Sequence, residues 1–186
     1  MRITAGDLRG RIIEAPAGLE VRPTSDRARQ AVFNILAHAP WSQGLQPLRV
    51  IDVFAGSGAL GLEALSHGAA SCLFIDLAEA SLAAVRANVA AFGLGERARL
   101  LRQDASRLGR LPAGEATYDL VFLDPPYGKG LGEPALAALH GGGWLAADAI
   151  AVLERGAGEA AVEFPGFEPL DQRRYGKAEV LFLRSL

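Results

Sequence analysis

The apolar residues of this chain change rhythm twice along its length. Up to residue 22, short extended pieces are broken at Gly6, Gly10, Pro16 and Gly18, which predicts a hairpin. Thr24-Ser25-Asp26 then offers a helix N-cap. Ala28, Ala31, Val32, Ile35 and Leu36 follow at helical spacing until Pro40 stops the run. From Leu48 short apolar runs alternate with helical stretches. Strands are predicted over 48–54, 72–76, 98–102, 118–123 and 149–154, and helices over 59–67, 79–92, a short 104–110, and 133–140. That alternation implies βαβ units and an α/β fold, a mostly parallel, doubly wound sheet covered on both faces. After Glu154 it ceases: 167–175 and 178–184 flank Gly176-Lys177 with no helix between them, and read as an antiparallel C-terminal hairpin. The expected organisation is an N-terminal extension over 1–40, hairpin plus helix, followed by the sheet domain over 41–186.

Composition narrows the class. The 186 residues are 50% apolar and 22% charged, enough for one domain with its own core and too apolar for a disordered chain. Asp52 interrupts the most apolar stretch before it reaches membrane-spanning length, so no membrane is expected. A single cysteine, Cys72, and no export-type start point to a cytoplasmic protein. His38, His67 and His140 are too scattered to suggest a metal site. Nineteen basic residues against 21 acidic give a net charge of −2, which argues against a non-specific coat on nucleic acid. It leaves room for a local basic face. Residues 1–29 hold Arg2, Arg9, Arg11, Arg22, Arg27 and Arg29 against Asp7, Glu14, Glu20 and Asp26. A denser arginine stretch, 97–110, reads as an ordinary solvated face.

Gly56-Ser57-Gly58-Ala59-Leu60-Gly61 matches G-x-G-x-x-G directly after the first predicted strand, where a nucleotide-binding turn belongs. A tight turn with no ligand would satisfy the same pattern. Its neighbours select the ligand. Dinucleotides bring a pyrophosphate and want bare N–H groups. Here Asp52 precedes Gly56 by four residues, Asp76 ends the second strand and Asp104 follows the third. A carboxylate at Asp52 suits the ammonium and sulfonium of S-adenosylmethionine. Asp76 can accept from ribose hydroxyls of either cofactor and does not discriminate, and Asp104 can accept from an adenine amine.

The most specific signal is Asp124-Pro125-Pro126-Tyr127 at the end of strand 118–123, a tetrapeptide that chance places in roughly one chain per thousand of this length. The amine on a nucleobase is a poor nucleophile because its lone pair is delocalised into the ring. Two acceptors on its N–H groups, the Asp124 carboxylate and the Pro125 carbonyl, favour a pyramidal nitrogen; the prolines fix that carbonyl's direction. Tyr127 offers a stacking face, and Asp124 an acceptor for the leaving proton. A carboxylate accepts guanine's adjacent N1–H and N2 donors together, which tilts the reading toward guanine without excluding adenine N6.

With Arg2-Ile3-Thr4-Ala5-Gly6, Arg9-Gly10-Arg11, Arg22-Pro23-Thr24-Ser25-Asp26-Arg27, Phe33-Asn34-Ile35-Leu36 and the glycine loop through Ala64, this tetrapeptide resembles the bacterial 16S ribosomal RNA guanine-N2 methyltransferase D family across essentially the whole chain. The resemblance implies a Rossmann-like class I methyltransferase fold, S-adenosylmethionine as donor and S-adenosylhomocysteine as product. It implies as acceptor the N2 amine of a guanine in 16S RNA, within the small (30S) subunit or a late assembly intermediate. The protein is expected to act as a monomer. Asp52, Phe54, Ala55, Gly56, Ser57, Gly58, Asp76, Asp104 and Ala105 are then expected to hold the donor. Asp124, Pro125, Pro126 and Tyr127 are expected to perform the chemistry, and Arg9, Arg11, Arg22, Thr24, Arg27, Arg29 and Lys129 to meet RNA, with no metal. Gln30 and Asp76-Leu77-Ala78 depart from the family pattern of Glu and Glu-x-Asp. The same fold acting on adenine N6 or a protein glutamine is the alternative; a nicotinamide oxidoreductase would leave Asp52 and Pro125-Pro126 unexplained, and a non-enzymatic assembly factor would bind ribosomal particles and leave their guanines unmethylated.

Overall fold

A computed structural model describes residues 1–16, 26–160 and 162–186, so Arg22, Thr24 and the predicted cap residue Ser25 lie outside the described residues. Its elements run α1 (Asp26–His38), β1 (Arg49–Val53), α2 (Ala59–Ser66), β2 (Ser71–Asp76), α3 (Glu79–Ala91) and β3 (Ala98–Arg102). After a 3-10 turn at Ala105–Arg107 come β4 (Tyr118–Leu123), α4 (Gly132–Gly141), β5 (Leu145–Gly156), β6 (Phe167–Tyr175) and β7 (Ala178–Ser185). The strands form one sheet in the order β3-β2-β1-β4-β5-β7-β6. The first five named are parallel, and β7 runs antiparallel to both β5 and β6. The predicted doubly wound sheet and closing hairpin are therefore present.

Side chains along a strand alternate between faces, and that period of two sorts the core into two layers. Val50, Phe74, Leu120, Phe122 and Phe182 join Val32, Phe33 and Leu36 of α1 and Leu62 and Leu65 of α2 on one face. Ile51, Val53, Ile75, Val121 and Leu123 join Ala135, Leu136 and Leu139 of α4 on the other. With both faces covered, the central strands are buried almost throughout, β1 from Val50 to Val53.

Three local expectations change. The helix predicted over 104–110 is only the 3-10 turn, because the Asp104 side chain accepts from Ser106 N and Ser106 Oγ (3.0 and 2.7 Å), a local bond that competes with helix propagation. The strand predicted over 149–154 extends to Leu145–Gly156: Leu145 pairs with Tyr118 of β4, the register shifts across Ala146–Ala149, where Asp148 takes φ 61°, and regular pairing with β4 and β7 resumes at Ile150. Among the described residues the N-terminal hairpin is reduced to one antiparallel bridge, Arg2 to Ile12, and 17–22 lie outside the described residues.

That N-terminal stretch is held by side chains of α2. Glu63, fully buried, accepts from Thr4 N (3.0 Å), Thr4 Oγ1 (2.7 Å), Ala5 N (2.9 Å) and Arg29 Nε (3.0 Å). Ser66 Oγ donates to Ala5 O and accepts from Leu8 N. The approach demands glycine at Gly6: its φ is +76°, and a Cβ there would stand 2.0 Å from the Ser66 carbonyl oxygen. Asn88 of α3 completes the attachment, accepting from Glu14 N and donating to Glu14 O and Ser57 O.

Burial alone would raise the Glu63 pKa. His67 beside it (Nε2 at 3.7 Å) and the bonds from Thr4 and Arg29 outweigh burial and hold it below the ordinary 4.5. A carboxylate with a depressed folded pKa contributes stability above its unfolded pKa and loses it as pH falls through the folded one. Acid titration should therefore release the N-terminal segment below about pH 4.5, with Glu63→Gln flattening that limb of the stability–pH curve followed by fluorescence. A second expectation concerns Gly61, where a Cβ would meet the Phe74 ring at 2.4 Å and Cys72 Sγ at 2.6 Å. Gly61→Ala should cost about 1–3 kcal/mol by overpacking, read as a lower urea midpoint with an unchanged m-value.

Candidate active site

The strand order reverses at β1 and β4, and a crevice opens there beyond the carboxyl ends of the strands, where open α/β sheets bind ligands. Its cavity measures about 860 Å³, ample for a nucleoside-sized molecule. One wall is the turn from β1 into α2, a second comprises the ends of β2 and β3, and a third is the loop after β4.

The glycine turn is built from left-handed residues: Phe54 at φ 59°, Gly56 at φ 56° and Gly58 at φ 78°. For Phe54 that conformation carries strain, the kind of backbone cost that accumulates at functional sites. The turn is braced by carboxylates. Asp52 Oδ2 accepts from Gly61 N (2.9 Å), and Asp76 accepts from Gly56 N (2.9 Å) and Ala78 N (2.8 Å). Two of the turn's N–H groups are thus already taken by carboxyl oxygens and are not free to cradle a phosphate. Asp52 is 1% exposed. Burial drives its pKa well above the ordinary carboxylate value; the Gly61 N–H partly offsets this, and the Asp124 and Asp76 carboxylates push it further up.

The loop after β4 brings Asp124, Pro125, Pro126 and Tyr127 onto the same cavity. Asp124 and Tyr127 are half-buried, Pro125 is buried and Pro126 is exposed. The Tyr127 hydroxyl donates to Glu154 at the far end of β5, and Gly128 N donates to Glu159 (3.0 Å). The tyrosine is thereby fixed at its tip, with its ring at the cavity wall.

Of the residues expected to hold a donor molecule, Asp52, Phe54, Ala55, Gly56, Ser57, Asp76, Asp104 and Ala105 line the cavity. Gly58 does not: it is the N-cap of α2. The cavity also takes in residues the sequence reading passed over. Met1 and Pro16 come from the docked N-terminal stretch; Leu60, Leu77, Ser81, Gln103, Leu131 and Glu154 come from element ends. Glu154 alone had a legible signal, an acid closing a buried apolar strand.

The arginines divide. Arg9 and Arg27 are exposed, as is Lys129. Arg11 is exposed but engaged, donating to Ala91 O and lying over the Phe92 ring at 5.1 Å. Arg29, expected to meet RNA, instead sits fully buried against Glu63 and lines the cavity; its guanidinium does not reach the surface. In the 97–110 stretch Arg97 donates to Leu65 O and Ala69 O, Arg99 pairs with Glu115, and Arg102 and Arg107 lie near Glu79 and Asp104. Among the described residues no helix is long and apolar enough to cross a membrane.

Comparison with known proteins adds an independent line. The family described as Conserved hypothetical protein 95 matches residues 1–184. Ribosomal RNA small subunit methyltransferase D of Escherichia coli strain K12 is 37% identical over 154 residues, 83% of this chain and 74% of that protein. The protein of the same name from Haemophilus influenzae is 33% identical over 155 residues, 83% of this chain and 78% of its own. Among solved structures, a provisionally named methyltransferase from Escherichia coli superposes with a TM-score of 0.83 at 32% identity, covering 100% of this chain and 97% of that one. A ribosomal protein L11 methylase from Lactobacillus delbrueckii, at 20% identity and a TM-score of 0.66, shares the fold.

The raised Asp52 pKa has a measurable consequence. Below the unfolded-state pKa the residue is protonated in both states and costs nothing; as pH rises toward the folded pKa, stability is lost. Asp52→Asn keeps an acceptor for Gly61 and removes the charge. Thermal denaturation should show the variant more stable than the parent near neutral pH, with the gap closing on acidification.

Proposed function

The chain belongs to the ribosomal RNA small subunit methyltransferase D family, and from that premise we propose that it methylates the exocyclic N2 amine of a guanine in 16S ribosomal RNA, with S-adenosylmethionine as donor. The observation that carries this reading is the shared cavity. Asp124-Pro125-Pro126-Tyr127 and the carboxylate-braced glycine turn, carried at the ends of the adjacent strands β4 and β1, line one crevice.

The donor set fits a cationic nucleoside and disfavours a dinucleotide. Gly56 N and Gly61 N, which would cradle a pyrophosphate, are engaged by Asp76 and Asp52. The acidic wall around them suits a ligand carrying an ammonium and a sulfonium. Asp104, already capping the 3-10 turn, retains lone pairs for an adenine amine, and Asp76 retains them for ribose hydroxyls. When bound, S-adenosylmethionine supplies a methyl group activated by its positively charged sulfur.

The chain's own work lies at the acceptor. The Asp124 carboxylate and the Pro125 carbonyl accept the two N–H groups of the amine and aim its lone pair, an orientation effect that lowers the entropic part of the barrier. Pro125 and Pro126 restrict the backbone, so the carbonyl keeps its direction. The Tyr127 ring, tethered through its hydroxyl to Glu154, offers the base a stacking face. As the nitrogen gains its methyl group it becomes strongly acidic, and Asp124 takes the proton. Arg9, Arg27 and Lys129, all exposed, are the phosphate contacts we assign outside the cavity. With a net charge of −2, affinity for RNA rests on the shape of a folded particle in the small subunit.

Asp124→Ala should slow methyl transfer to undermethylated small subunits by about 10²–10⁴-fold while leaving affinity for S-adenosylhomocysteine within a few-fold. Mass-spectrometric mapping of the modified nucleotide reads the acceptor directly. Label appearing on adenine N6 or on a protein glutamine would overturn the guanine assignment. An unchanged rate would remove Asp124 from the chemistry.

A further inference from the structure

The C-terminal hairpin turns at the catalytic end of the sheet. β7 runs antiparallel to β5 with Gly156 opposite Ala178, and Ala157 N donates to Lys177 O (2.8 Å). The turn between β6 and β7, Gly176-Lys177, therefore stands beside the carboxyl end of β5. β5 also outruns its other neighbour. Leu153 pairs with Leu123, the last residue of β4, and β5 continues three residues further, to Gly156. At about 3.3 Å per residue, the hairpin rises about 10 Å above the level at which the Asp124 loop begins.

This raised edge is basic. Arg174 and Lys177 are exposed, and neither has a carboxylate within ion-pairing distance among the described residues. Arg174 Nε donates to Gly176 O (3.4 Å), a contact within the turn. The acids of the same region are engaged. Glu179 pairs with Arg155 (2.7 Å), and Asp171 with Arg173 (2.9 Å). Glu159 Oε1 accepts from Gly128 N and Gly156 N (3.0 Å each), which fastens the loop carrying Lys129 to this end of β5. Lys129, also exposed, likewise has no acid partner among the described residues. At the opposite flank of the crevice Arg102 and Arg107 stand near Glu79 and Asp104 (3.8 and 3.7 Å), so the cations there are partly balanced.

The crevice walls themselves carry Asp52, Asp76, Asp104, Asp124 and Glu154. Acids within and unbalanced cations on one rim suit a polyanion that offers a single base to the crevice and keeps its backbone outside. To bring an exocyclic amine to Asp124 a nucleotide must leave its stack, and the phosphates flanking it then pass over the rim. β7 lies two strand spacings from β4, about 10 Å, which puts the hairpin within reach of the strand that carries the target nucleotide. We propose that Arg174 and Lys177 form a phosphate-binding rim that grips the RNA backbone beside the target nucleotide, continuing the contact assigned to Lys129. The proposal rests on the assignment of RNA as acceptor and gives the C-terminal hairpin a part in substrate binding.

The test is Arg174→Gln/Lys177→Gln, assayed for methyl transfer to undermethylated small subunits over a range of KCl concentrations. KM for the particle should rise about two- to thirtyfold, as for two exposed ionic contacts, with kcat within about twofold of the parent. Affinity for S-adenosylhomocysteine should not change. The plot of log(kcat/KM) against log[KCl] should become shallower by about one to two, a change that a purely structural role of the hairpin does not produce. Arg99→Gln/Arg110→Gln removes the same charge from the 97–110 stretch and should keep the parental KM and slope. Parental values in the hairpin variant would overturn the proposal. Equal changes in both variants would also overturn it, since they would trace the effect to net charge. A fall in kcat at unchanged KM would do the same. A parent that transfers no methyl group to small-subunit RNA would instead overturn the acceptor assignment, and this inference with it.

Discussion

One buried carboxylate, Glu63, ties together parts of the chain that are far apart in sequence. It sits on α2, directly after the glycine turn, and collects donors from Thr4, Ala5 and Arg29. An ionised group at that depth is tolerated only when its lone pairs are filled, and here each donor that fills them also fixes a piece of architecture. Thr4 and Ala5 bring the N-terminal stretch onto α2, and Arg29 brings α1. Without that convergence Met1 and Pro16 would have no reason to stand at the cavity.

The cavity's own electrostatics follow a related logic. Asp52 and Asp76 are spent on backbone N–H groups of the turn, which fixes the loop and at the same time loads the crevice with negative charge. The arrangement is costly for the folded chain, as the raised Asp52 pKa records. Such a cost is typical of a site shaped for a ligand of opposite charge. The acceptor side is built differently: the Asp124–Tyr127 loop relies on two prolines and on a tyrosine tethered to Glu154, rigid parts that hold acceptors in fixed directions.

Much of this was legible in the chain itself. Apolar runs spaced at strand and helix periods gave every named strand and helix, because a sheet buried on both faces forces continuous apolar segments such as Val50–Val53 and Leu120–Leu123. The cavity residues of the glycine turn and of Asp124–Tyr127 were legible for the same reason: in a doubly wound sheet, motifs at strand carboxyl ends meet at the switch point. The miss at Arg29 has an equally physical cause. An arginine in a helix that also carries Arg27 and Gln30 reads as surface, and only its pairing with a glutamate 34 residues away takes it inside. The 3-10 turn at Ala105–Arg107 and the extension of β5 through Leu145 were decided by one side-chain bond and by neighbouring strands, neither of which periodicity encodes.

The sequence by itself determined the layers, the strand carboxyl ends that carry chemistry, and the kind of chemistry those residues perform. These depend on local period and on residue type, which act within a few positions of the chain. Only the tertiary structure decided which carboxylates are spent on the backbone, which arginine is buried, and that residues near the start of the chain wall the cavity. Those outcomes turn on contacts such as Thr4 with Glu63 and Glu14 with Asn88, spanning 59 and 74 residues. Desolvation and pairing act through space, and their energies are set by what the fold brings near.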